Sequence, residues 1–320
     1  MTPEKPAENR VAFTGEVETA EQNSWIESIN ARSKTFQLVP LAAMQDAAIE
    51  QVEVAVVANP DPAVLNALPN LKWIQSLWAG VEGILGSTLN EDIAIVRLTD
   101  PQMAESMSEA VLAWSLYLHR NMPQYKTLQA ANQWQQLPLK LPQDCNISVF
   151  GLGKLGSRAA LRLQQNQFTV RGWSSSKKSL PGVETFHGDS GLRSILSKTD
   201  IAIVLLPLTK ETTGLFNKER LSLLPHGASV INFARGPVIV EADLIESLNN
   251  NHLEHAVLDV FNEEPLPADH ALWSHPRVTV LPHISAPTTV ATAADIAAQN
   301  IDQWFSTGNL PESVDRNRGY

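Results

Sequence analysis

From Asn146 onward the chain alternates short, continuously apolar runs with amphipathic stretches. The apolar runs are Ile147–Phe150, Thr169–Trp173, Ile201–Leu206, Ser229–Phe233, Ala256–Val260 and Val278–Leu281. Between them, Leu155–Leu163, Leu192–Leu196, Lys218–Leu224 and Ala242–Leu248 carry helical spacing. Runs too apolar to alternate predict strands buried on both faces, hence a doubly wound parallel sheet covered by helices on each side.

Upstream the rhythm is less regular. Val11–Phe13, Thr35–Val39, Val52–Val57 and Trp73–Leu77 read as strands, with Trp25–Ala31 and Asp61–Leu68 as helices. Gln102–His119 is helical in pattern, because Met103, Met107, Ala110, Val111 and Trp114 fall on one side. Pro123 and the polar stretch 124–144 interrupt it. A last helical segment, Thr288–Phe305, follows the final strand and can return to pack on the first domain. The expected organisation is a smaller α/β domain, discontinuous over 1–101 and 288–320, and a larger one over 102–287.

Composition narrows the class. With 320 residues, 43 % apolar and 18 % charged, the chain is globular and long enough for two cores. A net charge of −10 without a long Lys/Arg run argues against nucleic acid, yet leaves room for a small anion in a local basic pocket. Cys145 is the only cysteine, which excludes an internal disulfide and a four-thiolate metal site; no metal enters the reading. The first ten residues lack the apolar core of a signal peptide, and no run approaches about 18 apolar residues. The expected address is the cytoplasm, with no membrane partner.

The strand Ile147–Phe150 empties directly into Gly-Leu-Gly-Lys-Leu-Gly at 151–156. Gly151 makes the tight turn, Gly153 admits a pyrophosphate against the backbone, and Gly156 lets the next helix pack close. Lys154 and Leu155 open that helix, whose N–H groups would face the phosphates. A strand before and a helix after lift the triplet above an ordinary glycine-rich turn, toward a dinucleotide (Rossmann) site.

Three charged residues follow successive strands of the same domain: Arg235 in Asn-Phe-Ala-Arg-Gly-Pro, Glu264 after Leu-Asp-Val-Phe, and His283 after Leu-Pro. Carboxyl ends of strands line the ligand crevice of a doubly wound sheet, so the three side chains are expected to converge. Their types suit reduction of a 2-keto acid. Arginine presents a planar fork to a carboxylate. Histidine donates a proton to the carbonyl oxygen as hydride arrives, and a neighbouring glutamate favours its charged form. Taken singly, each reads equally as a surface ion pair, a loop charge or a structural histidine; with the glycine loop upstream they point to one site.

Several ordered motifs together resemble the D-2-hydroxyacid dehydrogenase family over nearly the whole chain. They are the glycine loop, Leu-Leu-Pro-Leu-Thr (205–209), Asn-Phe-Ala-Arg-Gly (232–236), Leu-Asp-Val-Phe (258–261) with Glu-Pro at 264–265, and Pro-His-Ile (282–284). Within the family, Trp173–Glu184, Glu-Ala-Asp-Leu (241–244) and the C-terminal 314–320 are similar to its glyoxylate/hydroxypyruvate reductase A branch. The resemblance implies a Rossmann domain plus a smaller flavodoxin-like α/β substrate domain. It implies catalytic roles for Arg235, Glu264 and His283, and puts Leu206, Pro207, Ala234 and Asp259 against the cofactor, Asp259 near the nicotinamide. Leu77-Trp78-Ala79-Gly80-Val81 matches the family loop whose N–H groups hold the substrate carboxylate, and small residues at 79 and 80 suit an anion nest. A tight turn needing Gly80 explains the same residues, and Trp78 reads either as a pocket wall or as core. A homodimer and a small 2-keto or 2-hydroxy acid partner are also implied.

About 20 residues after the glycine loop, where an acidic residue would accept from a ribose 2′-hydroxyl, stand Trp173, Ser174, Ser175, Ser176, Lys177 and Lys178. Hydroxyls and ammonium groups suit a 2′-phosphate, so NADP(H) is expected to be preferred and NAD(H) possible, although reductase relatives commonly carry Arg where Ser175 stands. A solvated polar turn explains the run too. The leading expectation is a reductase taking glyoxylate, hydroxypyruvate or a similar acid with hydride from NADPH. The alternatives are an NAD-dependent dehydrogenase of a bulkier D-2-hydroxy acid, or a corepressor-like dinucleotide-binding interaction module.

Overall fold

The computed structural model describes residues 9–319. The polar segment 1–8, and Tyr320 at the end of the reductase-like C-terminal motif, lie outside the described residues. The chain divides into two compact units, Met1–Gln102 with Thr288–Tyr320, and Met103–Pro287.

The first unit carries five strands, β1 (Asn9–Gly15), β2 (Phe36–Pro40), β3 (Val54–Ala58), β4 (Trp73–Ser76) and β5 (Ala94–Val96). They pair in the order β2-β1-β3-β4-β5, every pair parallel, which is the flavodoxin-like arrangement. β3 is buried along its whole length, as its Val-Ala-Val-Val-Ala sequence demands. The C-terminal helix Val290–Thr307 belongs to this unit. It buries Ala293, Ala294, Ala297, Ala298 and Ile301, small residues that let it approach closely, and Asn300 Nδ2 donates to the buried Gln75 Oε1 at 2.8 Å. Gly308 ends it with φ 71°.

The second unit carries β6 (Asn146–Phe150), β7 (Thr169–Ser174), β8 (Glu184–His187), β9 (Ile201–Val204), β10 (Ala228–Asn232), β11 (Leu253–Leu258) and β12 (Val278–Val280). Their order is β12-β11-β10-β9-β6-β7-β8, all parallel, with the reversal between β6 and β9. This is the Rossmann order with a seventh strand, and its ligand crevice lies outside the carboxyl ends of β6 and β9. The helix Pro101–His119 lies against the glycine-loop helix Lys154–Gln165: Arg158 Nε and Nη2 donate to the Glu105 carboxylate at 2.5 and 2.8 Å. That paired guanidinium holds the Glu105 carboxyl below its ordinary range.

Three expectations need correction. The polar stretch 124–144 is not wholly irregular: Met122–Ala130 is a helix, with Pro123 in its first turn, where a missing N–H costs nothing. Asn121, in the left-handed region at φ 55°, breaks the preceding helix and starts this one. Lys218–Leu224 is helical only over Lys218–Leu221. β5 and β8, absent from the sequence reading, close one edge of each sheet; β8 reads Glu-Thr-Phe-His and is at most half-buried, so it lacks the continuous apolar signature.

Candidate active site

β6 delivers Phe150 into the glycine loop. Gly151 has φ 107°, and a Cβ there would lie 2.5 Å from Leu205 O, so only glycine fits between the ends of β6 and β9. A Cβ on Gly156 would sit 1.7 Å from Gly151 O, which makes this residue the contact between helix and turn. Gly153, by contrast, is exposed and faces open space within 4 Å. Lys154 is exposed and Leu155 packs against the core beneath the helix. Two glycines hold the fold and one leaves the backbone bare at a helix N-terminus, a cradle suited to a pyrophosphate.

At the end of β7 the side chains separate into two kinds. Trp173 is turned into the core, its indole N–H donating to Gly188 O at 2.9 Å, and Ser174 is buried with its hydroxyl donating to Ser176 O at 2.7 Å. Ser175, Ser176, Lys177 and Lys178 are exposed. After β9, Leu206 is also committed to the core. Pro207 O accepts from Thr212 Oγ1 at 2.6 Å, and Thr212 Oγ1 accepts from Thr209 N–H at 2.8 Å, fixing the loop by side chain to backbone bonds.

The three charged residues are built on β10, β11 and β12. Asn232, the last residue of β10, accepts from Ala234 N–H at 3.1 Å and donates through Nδ2 to Arg235 O at 3.1 Å, turning the chain so that Arg235 emerges half-buried. Ala234 itself is buried. Gly236 packs on the loop after β11, where a Cβ would meet Phe261 C at 2.1 Å. On that loop Glu264 Oε1 accepts from Phe261 N–H at 2.9 Å, while its Oε2 lies 2.7 Å from His283 Nδ1. Glu264 and His283 are therefore a pair, with one carboxylate oxygen pinned to backbone and the other orienting the ring. Nδ1 faces the carboxylate, so Nε2 is the ring position left for chemistry, and the His283 side chain is 51 % exposed.

Asp259, expected beside the cofactor, has its carboxylate bound to the backbone of the loop that carries His283. It is 2 % exposed, and its two oxygens accept from Ile284 N–H (2.8 Å) and Ser285 N–H (2.9 Å). It thus anchors the peptide that carries His283, which sits in the left-handed region at φ 54°. Asn232, Gly236 and the anchoring task of Asp259 were not foreseen. The first two stand inside the Asn-Phe-Ala-Arg-Gly motif, where an Asn two residues before a half-buried turn was the available signal.

In the first unit, Leu77 is buried at the end of β4 and starts the expected anion loop. Trp78 N–H is already taken, donating to Ser76 Oγ at 3.1 Å, so a nest would be formed from Ala79, Gly80 and Val81. The Trp78 ring packs edge-to-face on the buried Trp25 at 6.3 Å, and the residue lines a cleft of about 420 Å³ with Gly80 and Val81. Among the described residues no cluster of His, Cys, Asp and Glu is arranged to hold a metal, and no helix is long and apolar enough to cross a membrane.

This fold and these side chains define a dinucleotide-dependent oxidoreductase of the 2-hydroxyacid class. The profile described as D-isomer specific 2-hydroxyacid dehydrogenase, NAD binding domain, matches residues 112–285. The chain belongs to that family. Among solved structures, it is 36 % identical to a D-isomer specific 2-hydroxyacid dehydrogenase from Xanthobacter autotrophicus Py2 in complex with NADPH and MES, with a TM-score of 0.92 over 98 % of this chain and 100 % of that one. It is 31 % identical to the NADPH-dependent glyoxylate/hydroxypyruvate reductase of Sinorhizobium meliloti in complex with NADP and sulfate, with a TM-score of 0.87 and the same coverage. A probable 2-hydroxyacid dehydrogenase from Rhizobium etli CFN 42, in complex with NADP, HEPES and tartaric acid, is 30 % identical with a TM-score of 0.88, again over 98 % and 100 %.

Proposed function

We propose that this chain is a cytoplasmic NADPH-dependent reductase of short 2-keto acids such as glyoxylate and hydroxypyruvate. The observation that carries the reading is the Glu264–His283 pair, 2.7 Å apart, with the remaining carboxylate oxygen fixed by Phe261 N–H. The residues present fit a dinucleotide: a bare backbone at Gly153, a helix N-terminus behind it, and the buried hydroxyl of Ser285, which has no hydrogen-bond partner among the described residues. When bound, the reduced nicotinamide supplies the hydride.

The rest of the task falls to side chains. Arg235 offers a planar fork for the substrate carboxylate and carbonyl. His283 donates a proton from Nε2 to the carbonyl oxygen as negative charge grows there. Glu264 keeps the ring oriented through the 2.7 Å contact with Nδ1. Ser175, Ser176 and Lys177, exposed at the end of β7 without a carboxylate among them, favour the 2′-phosphate of NADP(H) over NAD(H). A homodimer is part of the same proposal, supported by the apolar side chains gathered between Leu116 and Leu141.

The test follows reduced-nicotinamide absorbance with glyoxylate, using NADPH and NADH in parallel. Turnover with NADPH, lost in His283→Ala while NADPH binding survives, supports the reading. Equal efficiency with both cofactors removes the 2′-phosphate assignment, and full activity of His283→Ala removes the proton donor.

A further inference from the structure

The polar turn after β7 is folded onto one face of the sheet, and β8 brings a histidine to the same place. The two strands run parallel, with Trp173 opposite Phe186 and Ser174 opposite His187. Residues paired across a sheet share a face, and alternate residues along a strand share it too. Trp173 belongs to one apolar cluster and Phe186 packs against it, so Ser174, Thr185 and His187 stand on the other face. The glycine loop rests on that face as well, since a Cβ on Gly172 would lie 2.7 Å from Leu152 Cδ2. The turn is tied down at both ends: Ser174 Oγ donates to Ser176 O at 2.7 Å, and Thr185 Oγ1 donates to Lys178 O at 2.7 Å. His187 is flanked by both ties, paired with Ser174 and roughly 7 Å along β8 from Thr185 toward the carboxyl end. The backbone beside it is fixed, because the Trp173 indole N–H donates to Gly188 O at 2.9 Å. The His187 side chain is exposed and has no hydrogen bond or ion pair among the described residues. Carboxylates on the same elements are already matched by arginines: Glu184 by Arg171 at 3.0 Å, and Asp189 by Arg220 at 3.0 Å and Arg193 at 3.2 Å.

We infer that His187 is a specificity residue of the cofactor site, donating from its ring to the 2′-phosphate of NADP(H) beside Ser175, Ser176 and Lys177. This rests on the reading that the turn after β7 receives that phosphate. A phosphate monoester carries a charge of about −1.5 to −2 at neutral pH and three acceptor oxygens. The turn meets it with lysines, point charges on flexible four-carbon stems that lose rotamer freedom when they are held. An imidazole on the end of a fixed strand is shorter and stiffer, and in either protonation state one ring nitrogen carries an N–H to donate. NADH has an uncharged 2′-hydroxyl in the same place and gains little from that ring. The contact therefore separates the two cofactors instead of strengthening both.

The experiment titrates NADPH and NADH onto the enzyme by calorimetry and compares the ratio of the two dissociation constants in the wild type, His187→Ala and His187→Arg, with circular dichroism to confirm that each is folded. The wild type should prefer NADPH. His187→Ala should bind NADPH about fivefold more weakly, with NADH unchanged. His187→Arg, whose guanidinium forks onto phosphate oxygens, should keep the preference. His226→Ala removes an exposed histidine before the amino end of β10, at the opposite end of the sheet, and should leave the ratio where it was. An unchanged ratio in His187→Ala, an equal loss of NADH, or a fall of the same size in His187→Arg or His226→Ala overturns the inference and leaves the 2′-phosphate reading standing. A wild type that binds both cofactors equally overturns both.

Discussion

Arg235 is held by its own backbone surroundings: Nη1 donates to Ala234 O at 2.7 Å, and the turn that presents it is tied by Asn232. The guanidinium therefore enters the crevice with its plane already set. A lysine at this position supplies one ammonium point charge in place of two parallel donors. Arg235→Lys should lower kcat/KM for glyoxylate by about 2–4 kcal/mol of transition-state stabilisation, with NADPH affinity little changed; steady-state kinetics alongside cofactor titration measures both. A residue outside the site, His255, governs acid tolerance instead. It is buried on β11 with Nε2 2.9 Å from Thr279 Oγ1, and burial, with Arg277, His275 and Lys126 around it, pushes its pKa down to about 4. The unfolded chain protonates this ring below about pH 6.5 while the folded chain resists until about pH 4. The unfolded state binds more protons across that window, so stability present above pH 6.5 is lost as pH falls, by up to about 3 kcal/mol. Urea unfolding at pH 7 and pH 4.5 should show this loss, and His255→Gln should flatten it.

Among the elements, the glycine loop separates two tasks that one motif usually conceals. Gly156→Ala drives a methyl group into Gly151 O and should cost about 1–3 kcal/mol or more of folding stability. Gly153→Ala meets nothing within 4 Å and should fold normally, yet bind NADPH more weakly because the methyl occupies the space a pyrophosphate needs. Thermal melts and cofactor titration of the two variants distinguish the tasks. The same contrast explains how far the sequence could be read. β6, β9, β10 and β11 were legible because both of their faces are buried and each carries a mostly apolar run. β8 was not, since an edge strand with exposed Glu184 and His187 has no apolar run. The helix Met122–Ala130 was hidden by Pro123, which in isolation reads as a breaker. At the site, Arg235, Glu264 and His283 could be named because their chemistry and strand-end positions are local facts. The Asp259 bonds to Ile284 and Ser285 reach across 25 and 26 residues of chain, and no local spacing records them.

At the scale of the molecule, one stretch of the second unit is unlike the rest of the described surface. Between the helix Met122–Ala130 and the short 3-10 turn Pro142–Asp144 the chain forms no strand or helix, with Trp134 fully exposed (100 %) and Leu139 and Leu141 more than half exposed. Leu116, Met122 and Tyr125 add exposed apolar surface from the adjoining helices. The arm is nonetheless fastened to its own chain, by Leu137 N–H on Tyr125 Oη at 3.0 Å and Lys140 beside Asp200 at 3.2 Å. A fastened, outward-facing apolar arm is the surface expected of a contact with a second copy. Sedimentation equilibrium should report a dimer, and Leu139→Asp/Leu141→Asp a folded monomer by the same measurement and circular dichroism. An unmodified protein that sediments as a monomer removes the homodimer from the proposal.

The buried carboxylate of Asp259 has a further consequence for how the enzyme fails on heating. His283 rides on a surface loop, and loops ordinarily open first, at a free-energy cost well below that of the whole domain. Here both oxygens of a side chain just after β11 accept from the two peptides that follow His283, so the loop cannot part from the sheet without breaking two charge-assisted hydrogen bonds and leaving a buried carboxylate unpaired. The imidazole thereby inherits the cooperativity of the central sheet, and its local unfolding merges with the global transition. Activity measured against temperature should then decline along the same curve as far-ultraviolet dichroism. In Asp259→Asn, where one oxygen becomes a donor facing an N–H, the two curves should come apart, with catalysis lost several degrees before the fold.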